Sequence, residues 1–190
     1  QNTFASSYSG KVNTDNVLAL RRGFKDARDA ALFDSNIDNK VYDNLIDVLH
    51  KNLYIMDDYY ALKKEVMGLD EIHIYDIYSS LVPESNKNYT FEEAKNIVMN
   101  ALSILGDSYI TDLSKAFDEK WIDVMPSHGK KGGAYSWGSY TTNPYLLLNF
   151  NGKFDDVSTL AHELGHSMHS YYSNKNNPYV YHQYKIFVAE

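Results

Sequence analysis

The chain has 190 residues, enough to bury one hydrophobic core, and its 44% apolar and 23% charged residues exclude a disordered protein. A net charge of -7 with no basic stripe excludes nucleic acid as a partner, and the apolar stretches fall short of the roughly 20 residues of a membrane helix. Cysteine is absent, which removes thiolate metal sites and cysteine nucleophiles and leads to the expectation of a reducing, cytoplasmic setting.

Residues 13–33 read as one or two helices bent near Gly23. From Asn39 to Met67, Val41, Leu45, Val48, Leu49, Ile55, Tyr59, Leu62 and Val66 recur at spacings of three and four. That period predicts one long helix, capped by Asp38 or Asn39 and ended by Gly68. Pro83-Glu84-Ser85-Asn86-Lys87-Asn88 is a short polar connection. Thr90-Phe91-Glu92-Glu93 is a capping box. The helix it starts runs through Ile97, Val98, Ala101, Leu102 and Leu105, loosens near Gly106, and resumes through Ile110, Leu113 and Phe117.

The period changes after Trp121. Ile122-Asp123-Val124 is short and strand-like, and residues 127–133 are a loose stretch rich in Gly and Lys. Tyr145 to Phe150 predicts a strand, and Pro144 before it suits a sheet edge or a first strand residue. A further helix is expected to start near Asp155 or Asp156. The expectation is a mainly α chain with a small sheet: one partial domain with a helical scaffold at 1–120, a β region at 121–154 and a functional helix with its following segment at 155–190. The chain opens at Gln1 within an amphipathic segment and stops at Glu190 in the apolar run Ile186-Phe187-Val188-Ala189, so it reads as a piece of a longer protein.

The last helix carries His162-Glu163-Leu164-Gly165-His166. Residues four apart stack one turn above the other, so both imidazoles can reach one metal ion. Glu163, about 100° round the helix from His162, sits beside that ion as a general base rather than a ligand. Val157, Leu160, Ala161, Leu164 and Met168 form the opposite, core-facing side, and His169 shares the face of His162 and His166. Two imidazoles four residues apart with a carboxylate directly after the first make the pattern of a zinc site, one ion per chain, and without Cys only His and carboxylates remain as ligands. Gly165 is either a point of close backbone approach or a weak point in the helix.

A catalytic zinc needs a third protein ligand. The pattern that places a His six residues after the second fails, because Tyr172 stands there. His169 lies two turns, about 10 Å, from His162 along the axis, too far to share the ion, and is expected to line the cleft. His182 is one candidate. Glu190 is the better one, ending an apolar turn that could dock alongside. Tyr135-Ser136-Trp137 reads as a pocket wall, a flap or packed aromatics, and the strand at 145–150 either pairs with an extended peptide or is simply buried.

His162 to Ser173 (HELGHSMHSYYS), Asn177-Pro178-Tyr179-Val180-Tyr181 and Phe187-Val188-Ala189-Glu190 resemble oligoendopeptidase F, of the thimet oligopeptidase group of zinc metallopeptidases. Leu81-Val82-Pro83-Glu84, Trp121-Ile122-Asp123-Val124 and Gly133-Ala134-Tyr135-Ser136-Trp137-Gly138 agree with it. The resemblance implies a zincin-like helical catalytic-domain fragment, with His162, His166 and Glu190 as zinc ligands and Glu163 as catalytic base. It implies cleavage of oligopeptide substrates in the cytoplasm. Members are several times longer, so N- and C-terminal parts are implied partners, an oligomer is left open, and this piece alone is expected to be inert. A zinc-binding helical interaction module without peptidase activity is the alternative.

Overall fold

The computed structural model describes residues 1–82 and 87–189. Its contacts divide the chain into two units, Gln1–Glu84 and Ser85–Glu190. The helices after residue 90 pack with the sheet and the last long helix. Pro83 to Asn86 of the polar connection, and Glu190, lie outside the described residues.

The first unit holds α1 (Asn2–Arg21), α2 (Ala27–Phe33), α3 (Asn39–Lys51) and α4 (Tyr54–Met67). The chain turns at Gly23, and Asp26 caps α2 by accepting from the Asp29 N–H at 2.8 Å. Asp38 caps α3 through the Lys40 N–H at 2.8 Å. The single helix expected over 39–67 is broken at Asn52 and Leu53. Asn52 Nδ2 donates to the Val48 carbonyl at 2.7 Å, so a side chain takes up an acceptor of the last turn, and its own N–H bonds Leu49. Gly68 does end α4, at φ 64°, a left-handed backbone that a side chain would disfavour.

In that unit the apolar stripe of α3 and α4 is open: Leu45 is 67% and Leu62 54% exposed. Periodicity reports a face built for burial, and the cover for this face is not among the described residues. Lys63 is the exception, buried with Nζ donating to the carbonyls of Ile77 and Ser79 at 2.7 and 2.6 Å. Two carbonyl acceptors make an otherwise costly ammonium burial tolerable.

The second unit contains the core. The capping box forms as read: Thr90 Oγ1 accepts from the Glu93 N–H, and Glu93 Oε2 accepts from the Thr90 N–H at 2.8 Å. It starts α5 (Phe91–Ala101), which passes through a tight turn at 102–105 and Gly106 into α6 (Asp107–Asp118). Three strands follow, β1 (Ile122–Asp123), β2 (Tyr135–Trp137) and β3 (Tyr145–Leu147), in spatial order β1-β3-β2. β1 runs parallel to β3 with Ile122 beside Leu146, and β2 runs antiparallel with Ser136 beside Leu146.

β3 is the central strand, so of the two readings of Pro144 the one at a strand's start holds and the edge does not. One expectation changes here. Residues 127–133 are not loose. Lys130 reaches back to the carbonyls of Asp123 and Met125 at 3.1 and 2.7 Å, and Asn149 Nδ2 holds those of Lys131 and Gly133 at 2.9 and 2.8 Å.

The last long helix, α7 (Phe154–Asn176), starts where Asp156 Oδ2 accepts from the N–H groups of Lys153 and Asn151 at 2.8 and 3.0 Å. Just before it, a Cβ on Gly152 would lie 2.9 Å from the Tyr89 carbonyl, so only glycine fits that crossing. Val157, Leu160, Leu164 and Met168 of α7 are buried against Ala94, Val98, Leu113, Trp121, Leu146 and Phe150. This is the core face read from the sequence. After α7 come a single turn at Tyr179–Tyr181 and the four-residue helix α8 (Ile186–Ala189).

Candidate metal centre

Burying the apolar side of α7 turns its other side toward a cavity of about 550 Å³. Its wall includes Ser136, Trp137, His162, Glu163, His166 and Ile186. His162 and His166 present Nε2 atoms 3.0 Å apart, with ring planes at 86°. Two nitrogen ligands of a tetrahedral zinc at about 2.0–2.1 Å are about 3.3 Å from each other, so the observed separation lies within a few tenths of an ångström of a shared ion. The donor chemistry fits as well, being two imidazoles with no thiolate.

Glu163 is 7% exposed and stands in the same wall. Among the described residues no hydrogen bond or salt bridge engages its side chain. Among those residues, too, no group of three His, Asp or Glu side chains comes together. The third ligand expected, Glu190, lies outside them; Ala189, immediately before it, lines the cavity with both histidines.

His169 does not line the cleft as expected. Its ring stacks on Tyr184, centroids 3.6 Å apart and planes 6° from parallel, because the segment after α7 folds back over it. Burial holds its pKa below the usual imidazole value, with the His166 charge adding to the effect. His182 faces the cavity, with Nδ1 against the Tyr179 carbonyl and its ring against Tyr140 and Tyr179.

Sequence reasoning missed two features. Tyr135-Ser136-Trp137 is a strand, and its aromatic-polar-aromatic alternation was the available signal. Ser136 Oγ meets the buried Ser167 Oγ at 2.8 Å, which joins β2 to α7 one residue beyond His166. Tyr184 sits in an aperiodic loop and gave no signal.

Over its whole length, residues 1–190, the chain matches the sequence profile of Peptidase family M3. It is 45% identical over 190 residues to oligopeptidase PepF of Bacillus subtilis (strain 168), covering all of this chain and 28% of that protein. It is 41% identical over 192 residues to the chromosomal oligoendopeptidase F of Lactococcus lactis subsp. cremoris, again covering all of this chain and 31% of the relative. A crystal structure from Chlamydophila abortus, its protein provisionally designated a peptidase, superposes with a TM-score of 0.86 at 41% identity, over 99% of this chain and 31% of that one. The chain thus spans under a third of the length of these relatives.

Proposed function

The chain belongs to peptidase family M3, and from that premise we propose that the protein carrying it is a zinc metalloendopeptidase acting on short oligopeptides. The observation that carries this reading is the pair of Nε2 atoms 3.0 Å apart with Glu163 beside them in one cavity wall. His162, His166 and Glu190 hold the ion in this reading. When bound, zinc supplies a Lewis acid for the scissile carbonyl and lowers the pKa of water.

The chain's own groups do the rest. Glu163 takes a proton from the attacking water and returns it to the leaving nitrogen. The substrate backbone pairs with β2. β3, the strand first considered for this role, is flanked by β1 and β2 and offers no free edge, whereas β2 has β3 on one side only among the described strands. Pairing through main-chain groups gives affinity with little dependence on sequence. Trp137, 77% exposed at the cavity, offers an apolar wall to a substrate side chain.

The activity is assigned to the whole protein, whose remaining parts are proposed to complete the site and supply donors for the tetrahedral oxyanion. The isolated chain is proposed to turn over little. A cytoplasmic setting is part of the same reading, supported by the lack of cysteine. Among the described residues no helix is long and apolar enough to cross a membrane. The test is zinc content together with cleavage of an internally quenched peptide: zinc with cleavage supports the peptidase. Zinc without cleavage in the whole protein would instead support an interaction module.

A further inference from the structure

We infer that Tyr184 is a positioning residue for metal binding: it fastens the segment leading through α8 to Glu190 onto α7, beyond the paired histidines. This rests on the reading of Glu190 as third ligand. The problem it solves is mechanical. A four-residue helix cannot hold itself in place, since nucleation alone is unfavourable for so short a piece. α8 also lacks a buried face, with Ile186 78%, Phe187 61% and Val188 64% exposed. Even so, Ile186 and Ala189 stand in the cavity wall with His162 and His166.

What holds them lies just upstream. The Tyr184 ring lies flat on His169 at 3.6 Å, and its hydroxyl meets Ser170 Oγ at 2.8 Å. His169 and Ser170 are one turn beyond His166 on the same helix. Two further ties precede it: Ser173 Oγ donates to the His182 carbonyl, and Tyr140 OH donates to the Asn177 carbonyl at 2.9 Å. Tyr184 is the last of these fastenings, two residues before α8 begins. A ligand delivered by an otherwise loose segment costs ordering entropy when it binds, and a prior fastening removes part of that cost.

The experiment is zinc affinity of the intact protein, by competition with a chromophoric chelator, with far-UV circular dichroism as the fold control. Tyr184→Ala is expected to weaken zinc by about 10–100-fold, the range for groups that orient ligands. Tyr184→Phe and Ser170→Ala remove only the hydroxyl bond and should each weaken it about three- to tenfold; they carry the test if the alanine variant fails to fold. Adding Tyr184→Ala to Glu190→Ala should weaken zinc no further than Glu190→Ala alone. Unchanged affinity in folded Tyr184 variants, or losses that add in the double variant, would overturn the inference while leaving the ligand set intact. Undiminished affinity in Glu190→Ala alone would remove the ligand assignment and the inference with it.

Discussion

The hydroxyls of Ser136 and Ser167 meet at 2.8 Å, one from the edge strand β2 and the other from a fully buried position on α7. This single bond couples the strand proposed to hold the peptide to the helix that carries the histidines. Ser136→Ala is expected to raise KM for peptides several-fold with a smaller change in kcat and no change in zinc content. It also leaves the Ser167 hydroxyl without its partner, at about 1–3 kcal/mol, whereas replacing both serines by alanine should recover part of that stability. Steady-state kinetics and denaturant titration of the single and double variants read both effects.

Glu163→Gln keeps the shape of the side chain and removes its basicity. Turnover of a quenched peptide should fall by about 10²–10⁴-fold, with zinc still bound at the wild-type level. Retained cleavage would dismiss Glu163 as the base.

Gly165 sits in the middle of α7, between the two histidines of the pair, yet a Cβ built there meets nothing within 4 Å. The close-approach reading of this glycine finds no support among the described residues. Gly165→Ala should therefore stabilise this chain by about 0.5–1 kcal/mol through helix propensity. A thermal melt that moves downward would show that some group outside the described residues needs the space.

Asp112 of α6 accepts from Lys115 Nζ at 2.5 Å, and Tyr171 OH of α7 lies 3.3 Å from it. The Lys115 hydrogen bond, with smaller help from Tyr172 and Lys175, holds the Asp112 carboxyl below its ordinary 3.8. Lys115 is pushed above its ordinary 10.5 by the same bond and by Tyr171. A depressed carboxyl contributes stability above pH 3.8 that is lost as pH falls through its lower folded value. A raised ammonium contributes stability below pH 10.5 that is lost at still higher pH. Between those limits the contribution of the pair is flat. Urea midpoints at pH 5 and pH 3 should therefore fall further for the wild type than for Asp112→Asn. Equal falls would show that the network contributes nothing to folding.

What could be read in advance was whatever is written locally. The Thr90 capping box, the Gly68 stop and the buried face of α7 each depend on residues within a few positions of one another. The break at Asn52 was hidden, because an apolar stripe continues across it and only the asparagine amide, bonded to Val48, reveals the interruption. Strand order was hidden too: strands of two and three residues carry too little alternation to say that β3 lies between β1 and β2. At the candidate site, the common placement of His162, Glu163 and His166 along one cavity was legible from their spacing on one helix. The stacking of His169 on Tyr184 joins residues 15 apart through an aperiodic loop, and pattern alone does not encode it.

X-ray absorption at the zinc edge of the purified intact protein examines the ligand set itself. The account predicts one zinc per chain with two imidazole nitrogens at about 2.0–2.1 Å and the remaining positions filled by oxygen, the oxygen count falling in Glu190→Ala. A shell without imidazole scattering, or with a third imidazole from His169 or His182, would contradict it.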